Sequence, residues 1–384
     1  MTRYRKRKLL GGIKICGLIM LPVAASCVIP GISSALSRAE EISIRRNTAA
    51  NAPAAAESGQ TSYNYRNEQG DILSDEEILS SGYGFAEETE DAADTENPFY
   101  AVSDNPGAKP YPTEDEWVPG GSIVRTTYGT FSGATYFDLE KCGQVNNQSS
   151  LSNDEVFAES KYLPDFTLTD TDEPQVLIYH THTTESFEPY VRDFCDASFN
   201  YRTTDPTKNM VMVGDEICKE LEKAGIGVIH AAEIHDYPSY NGSYARSRAT
   251  IEPILKQYPS IKVALDIHRD AISSGGNAYQ PYVEIDGREA AQVMIISGCD
   301  DGTLGMPNYL KNFRFASCLQ QQLEGDYPGF TRPILFDYRK YNQDLTTGSL
   351  LIEVGSHGNT LEQVQYSGQL IGKSLAELLT SIKK

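Results

Sequence analysis

Residues 175–187 read QVLIYHTHTTESF: the apolar run Val176-Leu177-Ile178-Tyr179 leads straight into His180-Thr181-His182-Thr183-Thr184-Glu185. A short run with no polar alternation reads as a strand buried on both faces, the habit of parallel sheets. The sequence downstream repeats the theme with helices between strands. Met210, Val213, Ile217, Leu221 and Ala224 recur at helical spacing, and Gly225 supplies the stop. Ile226–His230 reads as the next strand, Tyr244–Tyr258 as a helix strained by Pro253, and Ile261–His268 as another strand. Tyr282–Ser297 reads as a hairpin about Asp286-Gly287. Phe313, Ala316, Leu319, Gln320 and Leu323 mark a helix, Pro333–Phe336 and Leu350–Val354 two strands, and Leu361–Ile382 a closing amphipathic helix. Alternating β and α elements predict an α/β fold, a mainly parallel sheet with helices on both faces.

Upstream the character changes. Short β-like runs at Ser122–Tyr128 and Thr135–Leu139 lie in a stretch, 116–174, expected to pack on the sheet edge. Residues 37–115 are rich in Ala, Ser, Asn, Gly, Asp and Glu and hold too little apolar surface to offset the entropy of ordering, which predicts a disordered acidic tether. At the N-terminus Arg3, Arg5, Lys6, Arg7, Lys8 and Lys14 precede an uncharged run from Ile15 to Leu36. That run is long enough for a hydrocarbon core of roughly 30 Å, and the basic flank places the N-terminus in the cytoplasm and everything after it outside. A cleaved signal peptide with Ser33-Ser34-Ala35 at its end is the competing reading. The domains expected are thus a membrane anchor over 1–36, a tether over 37–115 and an exported catalytic domain over 116–384.

Charge follows the same division. Residues 1–66 carry +7 and residues 67–108 carry −12, so the net charge of −20 leaves −15 on 109–384. An acidic body excludes nucleic acid as an expected partner, because such binding rests on Lys and Arg neutralising phosphates. Seven cysteines show no CxxC pair or finger spacing. There is no HExxH helix, GxSxG elbow or P-loop either.

Three reactive segments fall at predicted strand ends: His180–Glu185, Asp266-Ile267-His268-Arg269-Asp270 and Glu353-Val354-Gly355-Ser356. Ligands of open α/β sheets gather at such ends. Two imidazoles and a carboxylate meeting there match a hydrolytic zinc site, in which three protein ligands leave a position for water. Each piece also has a plain reading. A His at a strand end is often a hydrogen-bonded structural residue, and Glu353 as a buried carboxylate needs a partner, for which Arg269 or Arg332 would serve in a salt bridge. His230 and His235 read as surface residues, with His230 as a conceivable fourth ligand, and His357 as a lining residue of the cleft.

The segments Gln175–Phe187, Ala264–Ala271 (ALDIHRDA), Asn312–Gln322 (NFRFASCLQQQ), Pro328–Asn342 (PGFTRPILFDYRKYN) and Gly348–Thr360 (GSLLIEVGSHGNT) together resemble the stage II sporulation protein P family over roughly residues 140–384. The resemblance implies a membrane-anchored, zinc-dependent cell-wall hydrolase with an N-acetylmuramoyl-L-alanine amidase-like fold. It implies endopeptidase activity on peptide cross-links as well, and work on peptidoglycan in engulfment beside SpoIID and SpoIIM. In the wider amidase superfamily His182 matches the first metal ligand, His268 the second and Glu353 the catalytic carboxylate. Lys208-Asn209-Met210 stands where a ligand Glu is expected. Glu185 is then the candidate third ligand and His180 its alternative, while Arg269 is expected to orient Glu353 or a substrate carboxylate. A wall-binding scaffold without catalysis and a zinc-dependent peptidoglycan deacetylase are the alternative functions.

Overall fold

The computed structural model describes residues 108–113 and 116–384. The expected anchor and most of the expected tether lie outside them. Among the described residues no helix is long and apolar enough to cross a membrane.

The strands are β1 (Pro119–Thr126), β2 (Tyr136–Asp138), β3 (Gln144–Asn147), β4 (Val176–Tyr179), β5 (Phe194–Asp196), β6 (Val228–Ala231), β7 (Val263–Asp270), β8 (Ser273–Ser274), β9 (Asn277–Ile285), β10 (Arg288–Ala291), β11 (Val293–Gly298), β12 (Ile334–Asp337) and β13 (Gly348–Ser356). The helices are α1 (Asn153–Glu159), α2 (Met210–Lys223), α3 (Ser243–Gln257), α4 (Tyr309–Asp326) and α5 (Leu361–Ser381). Eight strands form the main sheet in the order β2-β3-β12-β11-β13-β7-β4-β6. Successive residues of β4 divide between its faces: Val176 and Ile178 join the large core with Val213, Ile217, Leu370 and Ile371 of α2 and α5, while Leu177 and Tyr179 pack with Ile251 of α3. Complete burial of such aliphatic side chains is worth about 1.5–3 kcal/mol each. It accounts for β4 being apolar at every position.

The main sheet is mainly parallel, as expected, with five of its seven pairings parallel and two antiparallel. β11 runs antiparallel to β13 and β2 to β3, while β7 is parallel to both β13 and β4. A second sheet, β10-β9-β1-β5 with β8 on β9, was not anticipated. The expected hairpin turns where foreseen, with Asp286 and Gly287 both left-handed at φ 52° and 73°, but its second arm ends at Ala291. The chain then changes sheet at Gln292, whose buried amide donates to Tyr128 O and Gly329 O and accepts from Tyr128 N. Those bonds fix the crossing, so Val293 begins β11 in the main sheet. β3 and α1 were not read from the sequence either, although α1 carries a capping box between Ser152 and Glu155.

The described part of the expected tether, 108–113, lies against the domain. Tyr111 donates to Phe187 O and packs edge-on to Trp117 and Phe199. What the topology does for function follows from register: Tyr179 pairs with Asp266 and Glu353 with His268, so β4, β7 and β13 deliver their ends to one edge.

Candidate active site

The threonines of His180–Glu185 are fasteners. Thr181 donates through its backbone N and its Oγ1 to Asp266, Thr183 through Oγ1 to His180 O and Glu233 O, and Thr184 through N and Oγ1 to Asp236. Glu185 N closes the turn on His182 O at 3.1 Å. The segment is therefore a pinned turn, and His180 and His182 part company instead of facing the same way as in an extended run.

His180 points away from the site. Its Nδ1 donates to Ile267 O at 2.9 Å and its Nε2 meets His230 Nε2 at 2.8 Å, so both nitrogens are engaged. His230 is half-buried and its Nδ1 stands 3.0 Å from Asp215 Oδ1. Neither it nor His180 joins the other candidates. His235, expected at the surface, is buried, with Nδ1 donating to His180 O and Nε2 against Thr250 Oγ1. The polar stretch around it hid the fact that its ring nitrogens satisfy buried groups.

His182, His268, Glu185 and Glu353 are brought together. The rings of His182 and His268 lie 5.1 Å apart at 78°. His268 Nδ1 stands 3.9 Å from Glu185 Oε2, whose other neighbour is the backbone N of Arg269 at 3.0 Å. Glu353, in register with His268 on the adjacent strand, is buried, and among the described residues its Oε2 has no hydrogen-bond partner. Burial, then Asp270, outweighs the pull of His268 and pushes the Glu353 carboxyl up to about 8. Burial would lower His268, but Asp266, Glu185 and Glu353 around it push it up to about 9. Burial and then the positive neighbours His268, Arg202 and Arg269 hold His182 well below the ordinary imidazole value, as a neutral ring.

Arg269 does not orient Glu353 by contact. Its guanidinium donates to Tyr201 O and Asp270 O. Arg332 pairs with Asp270 at 2.7 Å. Neither arginine forms the salt bridge to Glu353 that the plain reading required. The ring of His357 lies 5.2 Å from that of Tyr201, and burial followed by Arg269 lowers it to about 3.

Several residues of the site were not singled out from sequence. Tyr240 stacks on His182 at 4.5 Å, Tyr244 meets the same ring edge-on, and Tyr341 stacks on Tyr244 at 4.9 Å. Arg202 bridges Asp236 and Glu185. Tyr240 comes from the loop before α3, Tyr244 from α3 itself, Tyr341 from the segment after β12 and Arg202 from the segment between β5 and α2, and no local pattern marks any of them as a site residue.

Among the described residues, no three His, Cys, Asp or Glu side chains are gathered tightly enough to grip a metal ion as they stand. Their chemistry nevertheless suits a divalent cation. Glu185, Asp266, Asp270 and Glu353 put four carboxylates at the buried edge, against the guanidinium groups of Arg269 and Arg332. Among the described residues Glu353 Oε2 has no hydrogen-bond partner, while His182, whose Nδ1 meets Ser243 Oγ at 3.3 Å, and His268 bring imidazoles to the same edge, and a buried polar atom left unpaired needs compensation.

The sequence profile of stage II sporulation protein P matches residues 87–376. The chain belongs to that family. Stage II sporulation protein P of Bacillus subtilis strain 168 is 29% identical to it over 224 residues, 56% of this chain and 53% of that protein. The family member described here thus spans about half the length of the curated relative it matches. Among solved structures, amidase AmiC2 of Nostoc punctiforme is 12% identical with a TM-score of 0.32, over 54% of this chain and 96% of that one. The CwlD amidase of Clostridioides difficile, solved with the GerS lipoprotein, is 12% identical at 0.35, over 54% and 99%. A metallo-carboxypeptidase of Burkholderia cenocepacia is 9% identical at 0.31, over 55% and 58%. Scores this low carry neither fold nor chemistry across.

Proposed function

We propose that this member of the family is a zinc-dependent peptidoglycan hydrolase, an N-acetylmuramoyl-L-alanine amidase with endopeptidase action on cross-links, that degrades septal wall during engulfment in sporulation. The observation that carries the reading is Glu353, a buried carboxylate with a partnerless oxygen beside the imidazoles of His182 and His268. A carboxylate kept out of every ion pair is poised to exchange a proton, not to hold the fold.

His182, His268 and Glu185 would hold the zinc, which when bound supplies Lewis acidity and makes water acidic near neutral pH. Glu353 accepts a proton from the attacking water and returns it to the departing amine nitrogen. Tyr240 and Tyr244 wall the site on the His182 side and keep bulk water from that ring. The segment 1–36 anchors the chain in the membrane with the catalytic domain outside, and SpoIID and SpoIIM are its proposed partners. Digestion of purified peptidoglycan by the full chain, with products read by mass spectrometry, tests the reading. Free stem peptides and muramic acid with an unmodified lactyl group are expected. Released acetate with peptides still attached would make it a deacetylase, and an undigested wall with no stoichiometric zinc would make it a scaffold.

A further inference from the structure

Asp266 has no part in the chemistry above and, unlike Asp270, which pairs with Arg332, forms no salt bridge to an arginine among the described residues. It is fully buried in the middle of β7. Its Oδ1 accepts from Thr181 N at 2.8 Å and its Oδ2 from Thr181 Oγ1 at 2.6 Å. His268, two residues on and so on the same face of the strand, places Nε2 2.8 Å from Asp266 Oδ1. The N–H points off the line to that oxygen, so the contact is a close ion pair and not a linear hydrogen bond. Distance alone assigns the proton. An imidazole lone pair facing a carboxylate at that range would be repelled, so Nε2 carries hydrogen and Nδ1 is left for whatever lies on the Glu185 side.

We propose that Asp266 is a positioning residue that fixes His268 with Nδ1 toward the metal and, through Thr181, sets the turn bearing His182 and Glu185 in register with it. The metal in this statement rests on the zinc reading; the ring orientation does not. The same carboxylate reaches two of the three segments that meet at the edge. Behind Thr181 the linkage continues, because Thr181 Oγ1 meets Ser247 Oγ at 2.8 Å and Ser247 Oγ accepts from Asn342 Nδ2 at 3.1 Å. Carboxylates behind metal-binding histidines commonly fix tautomer and orientation, and their loss costs about 10–100-fold in metal affinity.

The test uses the full chain with ¹⁵N-labelled histidine, of which there are only six. Long-range ¹H–¹⁵N spectra are recorded without metal at about pH 10, where the ring is neutral, and with added zinc, and His268→Gln assigns the signal. Hydrogen on Nε2 without metal, and a zinc-induced shift confined to Nδ1, are expected. Hydrogen on Nδ1, or a shift at Nε2, overturns the proposal. If the wild type takes up no zinc the zinc reading fails, and the metal-free spectrum still decides the orientation. In Asp266→Asn, chelator competition should show zinc bound about 10–100-fold more weakly while the melting temperature stays within a few degrees. Affinity within threefold of wild type would overturn the proposal. A merely structural Asp266 would lower the melting temperature of the variant and leave zinc affinity in its folded fraction intact.

Discussion

Replacing Glu353 by Gln separates a general base from a structural carboxylate, because the two roles predict opposite changes in stability. Glu353 is 3% exposed, one of its oxygens has no partner, and its carboxyl is pushed from 4.5 up to about 8. For an acid whose folded value is raised, the folded state binds the proton more tightly than the unfolded one. The group therefore costs nothing below about pH 4.5, and its cost grows as pH rises toward 8. At pH 7 that cost is on the order of 3 kcal/mol in metal-free protein, from roughly 1.4 kcal/mol per unit over the interval from 4.5 to 7. Gln removes the charge and keeps the shape. In chelator-treated protein at pH 7 the variant should therefore melt about 3–6 °C higher than wild type, the expected scale for a domain of this size, and the gain should vanish near pH 4.5. Wall hydrolysis by the zinc-loaded variant should fall by about 10²–10⁴-fold, the usual worth of a general base. Calorimetry across pH 4.5–8 and dye release from labelled peptidoglycan, on one preparation, give both numbers. A lowered melting temperature with hydrolysis in proportion to the folded fraction would refute the reasoning, and loss of zinc together with activity would make Glu353 a ligand.

His182→Ala and His268→Ala should each abolish zinc retention and hydrolysis, measured by metal analysis after gel filtration, since each removes one of three proposed ligands. His180→Ala should retain zinc yet lose about 1–3 kcal/mol of stability in urea, because Ile267 O and His230 Nε2 lose their partner in a buried setting. Gly214→Ala should be destabilised by a similar amount in the same titration: a Cβ there would stand 2.5 Å from His230 Nε2 and 2.8 Å from His180 Nε2. Removal of residues 1–36 should leave hydrolysis of isolated wall unchanged within about twofold while abolishing sedimentation with membranes, the loss expected when an apolar span is removed.

What the sequence made legible was set by periodicity. Val176–Tyr179 was read to the residue, and α2 and α5 to within one, because an apolar run bounded by His and a 3.6-residue repeat closed by Gly225 are local signals. Sheet membership is not local. Arg288–Ala291 and Val293–Gly298 read as one continuous arm, and only the long-range bonds of Gln292 show that the chain leaves one sheet for another. The same limit governs the site. Strand ends flagged His182, His268 and Glu353, whereas Tyr240, Tyr341 and Arg202 arrive from loops with no periodic mark, and Tyr244 from a helix whose pattern says nothing of which residue faces the site. His180, the alternative third ligand, turns away from the other candidates because the threonines bend the segment into a turn, which no local signal in the sequence announces.

The turn also bears on why such a segment should contain three threonines. A loop carrying two would-be ligands must keep its shape if they are to meet His268 at one edge, and a loop free to swing would lose that register. Thr181, Thr183 and Thr184 tie it to Asp266 in β7 and, in the loop after β6, to the backbone at Glu233 and to Asp236. On the far wall the backbone itself is held in an uncommon form: Tyr341 and Asn342 are both left-handed, at φ 43° and 54°, a conformation that costs a residue with a Cβ about 1–2 kcal/mol. Asn342 is kept there by donating to Tyr244 O and Ser247 Oγ, and Tyr341 thereby lies flat on Tyr244. Strain of this kind clusters at functional sites and persists only where the surroundings over-determine it, as the bonds of Asn342 do here. It fits a wall whose position relative to the two imidazoles is the quantity being conserved through the fold.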